Sequence, residues 1–269
     1  MNLYSNRSGI MDVLTTVKLC GASEDDFLYL VKLHTGSLPT GPLRFRPGWY
    51  LRDGTSSKAP ILAAVGDKSR QLLLLSTFSL DSAILLPPLE RDATPHAMVT
   101  EMMHATTTAA GDGDKTVAFR FSIEVGVKSL EREEFEWRKT KDEKGSGFVL
   151  LRLALPSDPA RPSPGTSSAP LDSGYETVVE LVFAKMTSWK HIFSLELKGT
   201  GRTGELGSRW TLMVVATALR LYWLRSYGKT NKTTVGVAEK MKGKRCGDRD
   251  CGYRMYLQSI CKLAMHVRL

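Results

Sequence analysis

Four basic side chains lie within six residues of one another near the C-terminus of this 269-residue chain. They are Lys240, Lys242, Lys244 and Arg245, in the segment KMKGKR. Ammonium and guanidinium groups at this density attract phosphates, and each contributes about 1 kcal/mol to binding at an anionic membrane surface. The same electrostatic attraction acts on the phosphates of nucleic acids. These four residues are therefore the candidate ligand-binding site.

A set of soft metal ligands follows the basic run: Cys246, Cys251, Cys261 and His266. Thiolate and imidazole groups are the usual ligands of structural zinc. Their spacing, C-x4-C-x9-C-x4-H, differs from the intervals found in zinc fingers and zinc knuckles. We therefore predict no metal site and no cofactor. A solvated, poorly ordered tail is the favoured interpretation, and zinc binding is the alternative.

Residue patterns typical of enzymes do not occur in the chain. It contains no G-x-S-x-G, H-E-x-x-H, P-loop or dinucleotide-binding motif. The segment EREEFEWRK offers paired carboxylates that could act in acid–base catalysis, in particular Glu134 and Glu136. On a strand, however, these two residues share one face while Phe135 and Trp137 share the other. The pattern favours a solvated face of interleaved Arg and Glu, and the chain is predicted not to be an enzyme.

The positive charge of the chain is concentrated at its C-terminal end. The net charge is +9, but residues 198–269 contain 15 Lys and Arg against four Asp and Glu, whereas residues 1–197 carry a small negative excess. Four cysteines are too few for a disulfide framework. The N-terminal segment lacks the continuous apolar stretch of a secretory signal. These features predict an intracellular, cytoplasmic protein with peripheral membrane association.

One apolar helix is predicted over residues 210–224, after Ser208 as a plausible N-cap and before Gly228 as a stop signal. Twelve of these 15 residues are apolar. The segment is too short to cross a bilayer, which needs roughly 20 apolar residues. Arg220 in its interior also opposes a membrane span. Because the apolar positions surround most of the helix, the helix must be buried on nearly all sides.

The rest of the chain is rich in strand patterns. In VAFRFSIEV, Phe119 and Phe121 alternate with Arg120 and Ser122, which is the period of a strand with one buried face. The predicted strands cover residues 27–33, 60–66, 71–80, 83–87, 117–125, 131–139, 148–155, 177–184 and 190–198. The polar residues predicted to point outward from these strands are Arg120, Glu124, Arg152 and Glu180.

Two segments interrupt the strands and are predicted to be loops, at about 91–116 and, with five prolines, at about 156–174. Many short strands followed by one apolar helix suggest a sheet that closes around the helix. The predicted fold is mainly β (α+β): a closed antiparallel β-barrel around a central hydrophobic helix at about 210–224. The barrel domain is assigned to residues 1–229, and residues 230–269 form a basic tail.

Several segments resemble the tubby C-terminal-like superfamily, which includes LURP-one-related proteins and phospholipid scramblases. The resemblance is carried by LHTGSLPTGPLRFRPGWYLRDGTSSKAPILAAVGDKS, ILLPPL, EREEFEWRK and LGSRWTLMVVATALRLYWLRS, and covers roughly residues 25–228. These segments also look like parts of proteins of this type from filamentous fungi. The resemblance implies a closed barrel around an apolar C-terminal helix, and phosphoinositide binding through basic residues on the barrel. It assigns no binding residue to a numbered position of this chain.

The predicted function is therefore non-enzymatic binding of anionic phospholipid, in particular phosphoinositide, at a membrane surface. The alternative is a protein-interaction scaffold in which the basic tail is incidental. A weaker alternative is nucleic-acid binding through the tail, where Tyr253 and Tyr256 could stack on bases.

Overall fold

The structure is a computed structural model. It describes residues 1–6, 15–68, 80–89, 97–109, 115–126, 131–142, 145–153, 175–184, 188 and 190–244. The loop predicted at 156–174, most of the strand predicted at 71–80, and Arg245 with the Cys and His ligand set that follows it lie outside the described residues.

Twelve antiparallel strands in the described part of the chain form one closed barrel. The strands are β1 (Asn2–Ser5), β2 (Thr16–Cys20), β3 (Phe27–His34), β4 (Gly48–Arg52), β5 (Ile61–Asp67), β6 (Ser82–Leu86), β7 (Val99–Ala109), β8 (Lys115–Val125), β9 (Glu131–Asp142), β10 (Gly145–Arg152), β11 (Glu176–Phe183) and β12 (His191–Leu197). Each strand pairs with its neighbours in sequence, and β1 closes the barrel by pairing with β12. The predicted closed antiparallel barrel is thus confirmed.

The helix α2 (Gly207–Ser226) fills the barrel. Its buried residues lie on all sides of the helix, from Trp210 to Leu224, as the apolar pattern predicts. Val215 and Leu219 are buried, and Leu212 packs on the same core. These contacts confirm that the helix is enclosed by the sheet.

One hydrogen bond joins the middle of the helix to the barrel wall. Trp137 Nε1 on β9 donates to Thr217 Oγ1 at 3.0 Å. The Thr217 hydroxyl in turn donates to the carbonyl oxygen of Met213, one turn earlier. The two polar groups satisfy each other in an otherwise apolar core, which avoids the cost of burying either one alone.

The C-terminus of α2 is closed by a Schellman motif. Gly228 adopts φ +65°, its N–H donates to the carbonyl of Arg225, and the N–H of Lys229 donates to that of Leu224. Gly228 is therefore the stop signal that the sequence predicts. The start differs from the prediction: α2 begins at Gly207, so Ser208 lies inside the first turn rather than at the N-cap.

The structure differs from the prediction at the segment assigned to a loop at about 91–116. Residues Val99–Ala109 form β7, which pairs with β6 and β8. The segment VTEMMHATTTA gives a weak strand signal because its apolar and polar residues do not alternate. Pairing on both edges nevertheless stabilises the strand, with Met103 and Ala105 in the core.

The segment assigned to a basic tail also differs from the expectation of poor order. Residues Lys232–Lys244 form helix α3, and Val235 and Ala238 on this helix belong to the main core. A short helix, α1 (Gly199–Thr203), lies between β12 and α2. The described chain therefore continues beyond residue 229 as part of the same packed unit.

Two of the polar predictions for the strands need correction. Glu136 is fully buried rather than solvated, because it accepts hydrogen bonds from Arg120 and, at 2.5 Å, from Arg138. Arg152 does not point outward: it lies opposite Phe135 in the ladder and donates to the buried carboxylate of Glu133, at 2.6 Å from both Nε and Nη2. In both cases guanidinium groups compensate for the burial of a carboxylate: two arginines bind Glu136 through Nε, and one arginine binds Glu133 bidentately.

The connection between β3 and β4, residues Thr35–Pro47, forms a strap on the outside of the barrel. Leu43 of this strap is fully buried against the outer face of β4–β6, where it forms a second apolar cluster with Tyr50, Ala64 and Leu85. The strap ends beside β5, since the N–H of Asp67 donates to the carbonyl oxygen of Pro47 at 3.3 Å.

We predict that Gly48→Ala destabilises the barrel. A Cβ at this position would lie 2.0 Å from the carbonyl oxygen of Val65 and 2.7 Å from Gly66 Cα. Because both are backbone atoms of β5, the two strands must move apart, and overpacking of this kind costs about 1–3 kcal/mol or more. The measurement is the thermal melting temperature of the purified variant.

The matched control is Gly236→Ala in α3. No atom lies within 4 Å of a Cβ at this position, so the alanine should stabilise the helix by up to about 1 kcal/mol. A Gly48→Ala protein that melts with the wild type would contradict the close approach of β4 and β5.

Candidate functional site

The interior of the barrel is occupied by α2, so a binding surface must lie on the outside of the sheet or at an end. The end where α2 terminates, here called the Arg220 end, brings together charged and polar residues from β5, β6, α2 and α3. Asp67 is the last residue of β5 and Ser82 is the first of β6, and the two face each other across the ladder. Their side chains meet the last turns of α2.

Arg220 is the central charge of this end. Its side chain is 1% exposed, and it donates from Nε to Ser82 Oγ at 2.8 Å and from Nη2 to the carboxylate of Asp67. Nη1 has no hydrogen-bond partner among the described residues. Burial lowers the pKa of Arg220, and the carboxylate of Asp67 opposes this effect. The sequence allowed Arg220 either to reach a rim or to find a carboxylate or carbonyl partner inside the fold, and the structure gives it a carboxylate partner.

Lys229 adds a second cation beside the same carboxylate. Its side chain is half-buried just beyond the end of α2. Burial lowers the pKa of the Lys229 ammonium; Asp67 raises it and Arg220 lowers it further. Asp67 thus interacts with two cations, Arg220 and Lys229.

Helix α3 is held against the barrel through Glu239. The Glu239 carboxylate accepts three hydrogen bonds of 2.7 Å, from the Thr106 hydroxyl and from the N–H and hydroxyl of Thr107. Burial alone would raise the pKa of Glu239, but these hydrogen bonds bring it below its ordinary value. Together with the buried Val235, they fix the position of α3 at the end of β7.

The predicted ligand-binding residues lie on and after α3. Lys240 is exposed and directly follows Glu239. Its backbone is therefore held in place on the barrel. Lys242 and Lys244 lie on the last turn of the helix backbone, and their side chains are outside the described part of the structure. Arg245 lies beyond it. The structure therefore brings Lys240 to a fixed place and does not test how the other three side chains are arranged.

The opposite end of the barrel carries charges that neutralise one another. Arg209, in the first turn of α2, donates to Glu101 at 3.0 Å and to Glu124 at 3.3 Å. Arg132 pairs with the same two carboxylates, which lowers the pKa of Glu124 against the effect of its burial. This end closes the barrel around the start of α2 and leaves little free charge for a ligand.

Sequence reasoning found Arg220 but missed Asp67, Ser82 and Lys229. One local signal was available: Asp67 ends the apolar strand ILAAVGD just as Arg220 interrupts an apolar helix. Two lone charges of opposite sign in elements that must be buried are expected to pair. Ser82 has no comparable signal, since its role depends on the register of β5 and β6.

The fold and this end define the protein as a helix-filled antiparallel β-barrel with a cationic C-terminal helix docked on it. Comparison with known proteins finds no match among protein-family models, curated proteins or solved structures. Within the described residues, no helix combines the length and the apolar character needed to span a bilayer.

Proposed function

We propose that this chain binds anionic phospholipid headgroups, of the phosphoinositide class, at the cytoplasmic surface of a membrane, and that it catalyses no reaction. One observation carries the proposal: residues 230–269 contain nine basic residues against three acidic ones, and the first of these basic residues lie on helix α3, which Glu239 and Val235 fix to the Arg220 end of the barrel. A membrane would therefore meet Lys240 at a defined place on the barrel.

The filled interior supports surface recognition, because α2 occupies the space in which other barrels hold an apolar ligand. A headgroup bound at the Arg220 end would meet Lys240 on α3, with Lys229 nearby as a half-buried cation. The architecture is also the one that the resemblance to tubby-like proteins predicts, and we propose membership of that superfamily on this ground.

The test is vesicle co-sedimentation of the full chain. Vesicles of neutral phosphatidylcholine are compared with vesicles that contain phosphatidylserine or phosphatidylinositol bisphosphate at equal surface charge. We expect preference for the phosphoinositide. Lys240→Gln combined with Lys244→Gln should weaken this binding at least about tenfold, since each charge contributes about 1 kcal/mol near an anionic surface.

The matched control removes two exposed charges elsewhere, by Lys58→Gln in the connection between β4 and β5 combined with Arg202→Gln in α1. The control should bind like the wild type. Equal weakening of both double variants, or equal binding to the two anionic vesicles, would show that binding depends on net charge alone. The protein-interaction scaffold would then be the favoured function. Substitutions are preferred to truncation after Lys229, because truncation would remove the buried Val235.

A further inference from the structure

The strap between β3 and β4 combines a rigid base with an exposed apolar tip. The base is anchored by the buried Leu43 and by hydrogen bonds within and beneath the strap. Tyr50 Oη donates to the carbonyl oxygen of Thr40 at 3.0 Å, and His34 Nε2 donates to that of Arg44 at 2.5 Å. Gly41, at φ +71°, allows the chain to pass so close to Tyr50 that a Cβ would lie 2.8 Å from the hydroxyl.

Two large apolar side chains point away from this base. Leu38 is 64% exposed and Phe45 is 41% exposed. Such exposure is unfavourable in water, and it occurs on a segment whose neighbour Leu43 is fully buried. Within a few residues, the strap therefore has one apolar side chain, Leu43, that is buried against the barrel, and two, Leu38 and Phe45, that are exposed. We call Leu43 the anchor and the two exposed residues the tip.

Arg44 lies between the anchor and the tip in a strained conformation. Its φ of +52° is the only positive value among the described residues other than glycine. A left-handed conformation costs a side chain of this size free energy, and such strain persists where the surrounding structure imposes it. The Arg44 side chain is exposed and makes no ion pair within the described structure, so it is available to an external anion.

The charge of this region selects the kind of partner. From Phe27 to Arg52 the chain contains no Asp or Glu, whereas Lys32, Arg44 and Arg46 are basic. A partner must therefore accept apolar side chains and carry negative charge at the same surface. The interface of an anionic bilayer has both properties, with acyl chains below a layer of phosphates. Two exposed side chains also offer too little area for a stable protein complex, which needs about 1,000 Å².

We propose that Leu38 and Phe45 insert into the interface of an anionic bilayer while Arg44 contacts lipid phosphates. This inference rests on the proposed membrane function and adds a second contact to it. The strap ends at Pro47, beside Asp67, so it leaves the barrel at the same end as the basic helix. Phosphoinositide recognition by α3 and insertion of the strap could then act on one membrane.

The test measures partition of the full chain into phosphatidylcholine–phosphatidylserine vesicles, with and without phosphatidylinositol bisphosphate, at about 0.3 M NaCl to screen charge. Leu38→Ser combined with Phe45→Ser should lower partition about tenfold, because the apolar area that enters the interface is lost. Leu28→Ser combined with Leu89→Ser, which changes two other exposed leucines, is the matched control and should bind like the wild type. Phe45→Trp should retain binding.

The outcomes separate this inference from the proposed function. If the Leu38 and Phe45 variant keeps full partition and headgroup preference, the insertion proposal is wrong while phosphoinositide binding stands. If the wild type shows no headgroup preference, but the Leu38 and Phe45 variant partitions less than the wild type, the insertion proposal holds and the proposed phosphoinositide specificity fails. Thermal melting equal to the wild type checks that each variant is folded.

Discussion

Val215→Asp is expected to prevent the barrel from folding. Val215 lies on the central helix with its side chain in the core, where a carboxylate would find no partner in the described structure. Burial of an unpaired charge or of a protonated carboxyl costs about 4 kcal/mol or more. This is a large part of the roughly 5–15 kcal/mol that stabilises a typical domain. Circular dichroism and size-exclusion chromatography of the expressed protein measure the effect.

The matched control places the same residue at the start of the same helix. Ser208 is exposed in the first turn of α2. An aspartate there interacts favourably with the helix dipole, by about 0.3–1 kcal/mol, so Ser208→Asp should fold normally. A Val215→Asp protein with the melting temperature of the wild type would show that the helix is not enclosed by the sheet.

Asp67→Ala is expected to destabilise the protein by about 3–5 kcal/mol. The substitution removes the only carboxylate that binds the buried guanidinium of Arg220 in the described structure. It also leaves Lys229 beside an uncompensated cation. Chemical denaturation of the folded protein measures the loss, and the unfolding midpoint should move to lower denaturant concentration.

A second substitution separates the lost ion pair from lost packing. Asp67→Ala combined with Arg220→Met removes both charges, and exchange of a buried ion pair for apolar groups is often close to neutral. The double variant should therefore be more stable than Asp67→Ala alone. Glu196→Ala, which removes an exposed partner of Lys198, should change stability by less than about 1 kcal/mol. If Asp67→Ala unfolds no earlier than this control, the buried pair does not hold the Arg220 end together.

Both predictions concern the same property of the fold. Within the described part of the chain, α2 supplies most of the helical apolar surface against which the inner face of the sheet packs. The Arg220 end therefore joins α2 to strands β5 and β6, and it also supports the proposed binding surface. Loss of lipid binding in a variant of Asp67 would reflect loss of the fold, which is why the binding tests use exposed residues.

Local patterns predicted much of the architecture. Alternation in VAFRFSIEV assigned the inner and outer faces of β8, since a strand places successive side chains on opposite sides. The apolar circumference of residues 210–224 predicted burial on nearly all sides, and Arg220 was expected either at a rim or with an internal partner. These features depend on a few neighbouring residues, so they can be predicted without the rest of the chain.

Features that depend on pairing were decided by the tertiary structure. The strands β1, β2 and β4 are short, and β7 has a weak local pattern; each is stabilised by hydrogen bonds to two neighbours. Glu136 became buried because Arg120 and Arg138 lie beside it across and along the sheet. Burial of a charge depends on partners brought together by register, which hydropathy does not encode.

The sequence by itself determined the type of fold, the position of the buried helix and the concentration of positive charge after residue 197. Only the tertiary structure decided where helix α3 and its Lys240 lie on the barrel, because the hydrogen bonds from Thr106 and Thr107 to Glu239 join segments more than 130 residues apart. The same holds for Asp67 and Ser82, which meet Arg220 through strand register. Local periodicity specifies each element, whereas the placement of a charge depends on contacts that form only when the barrel closes.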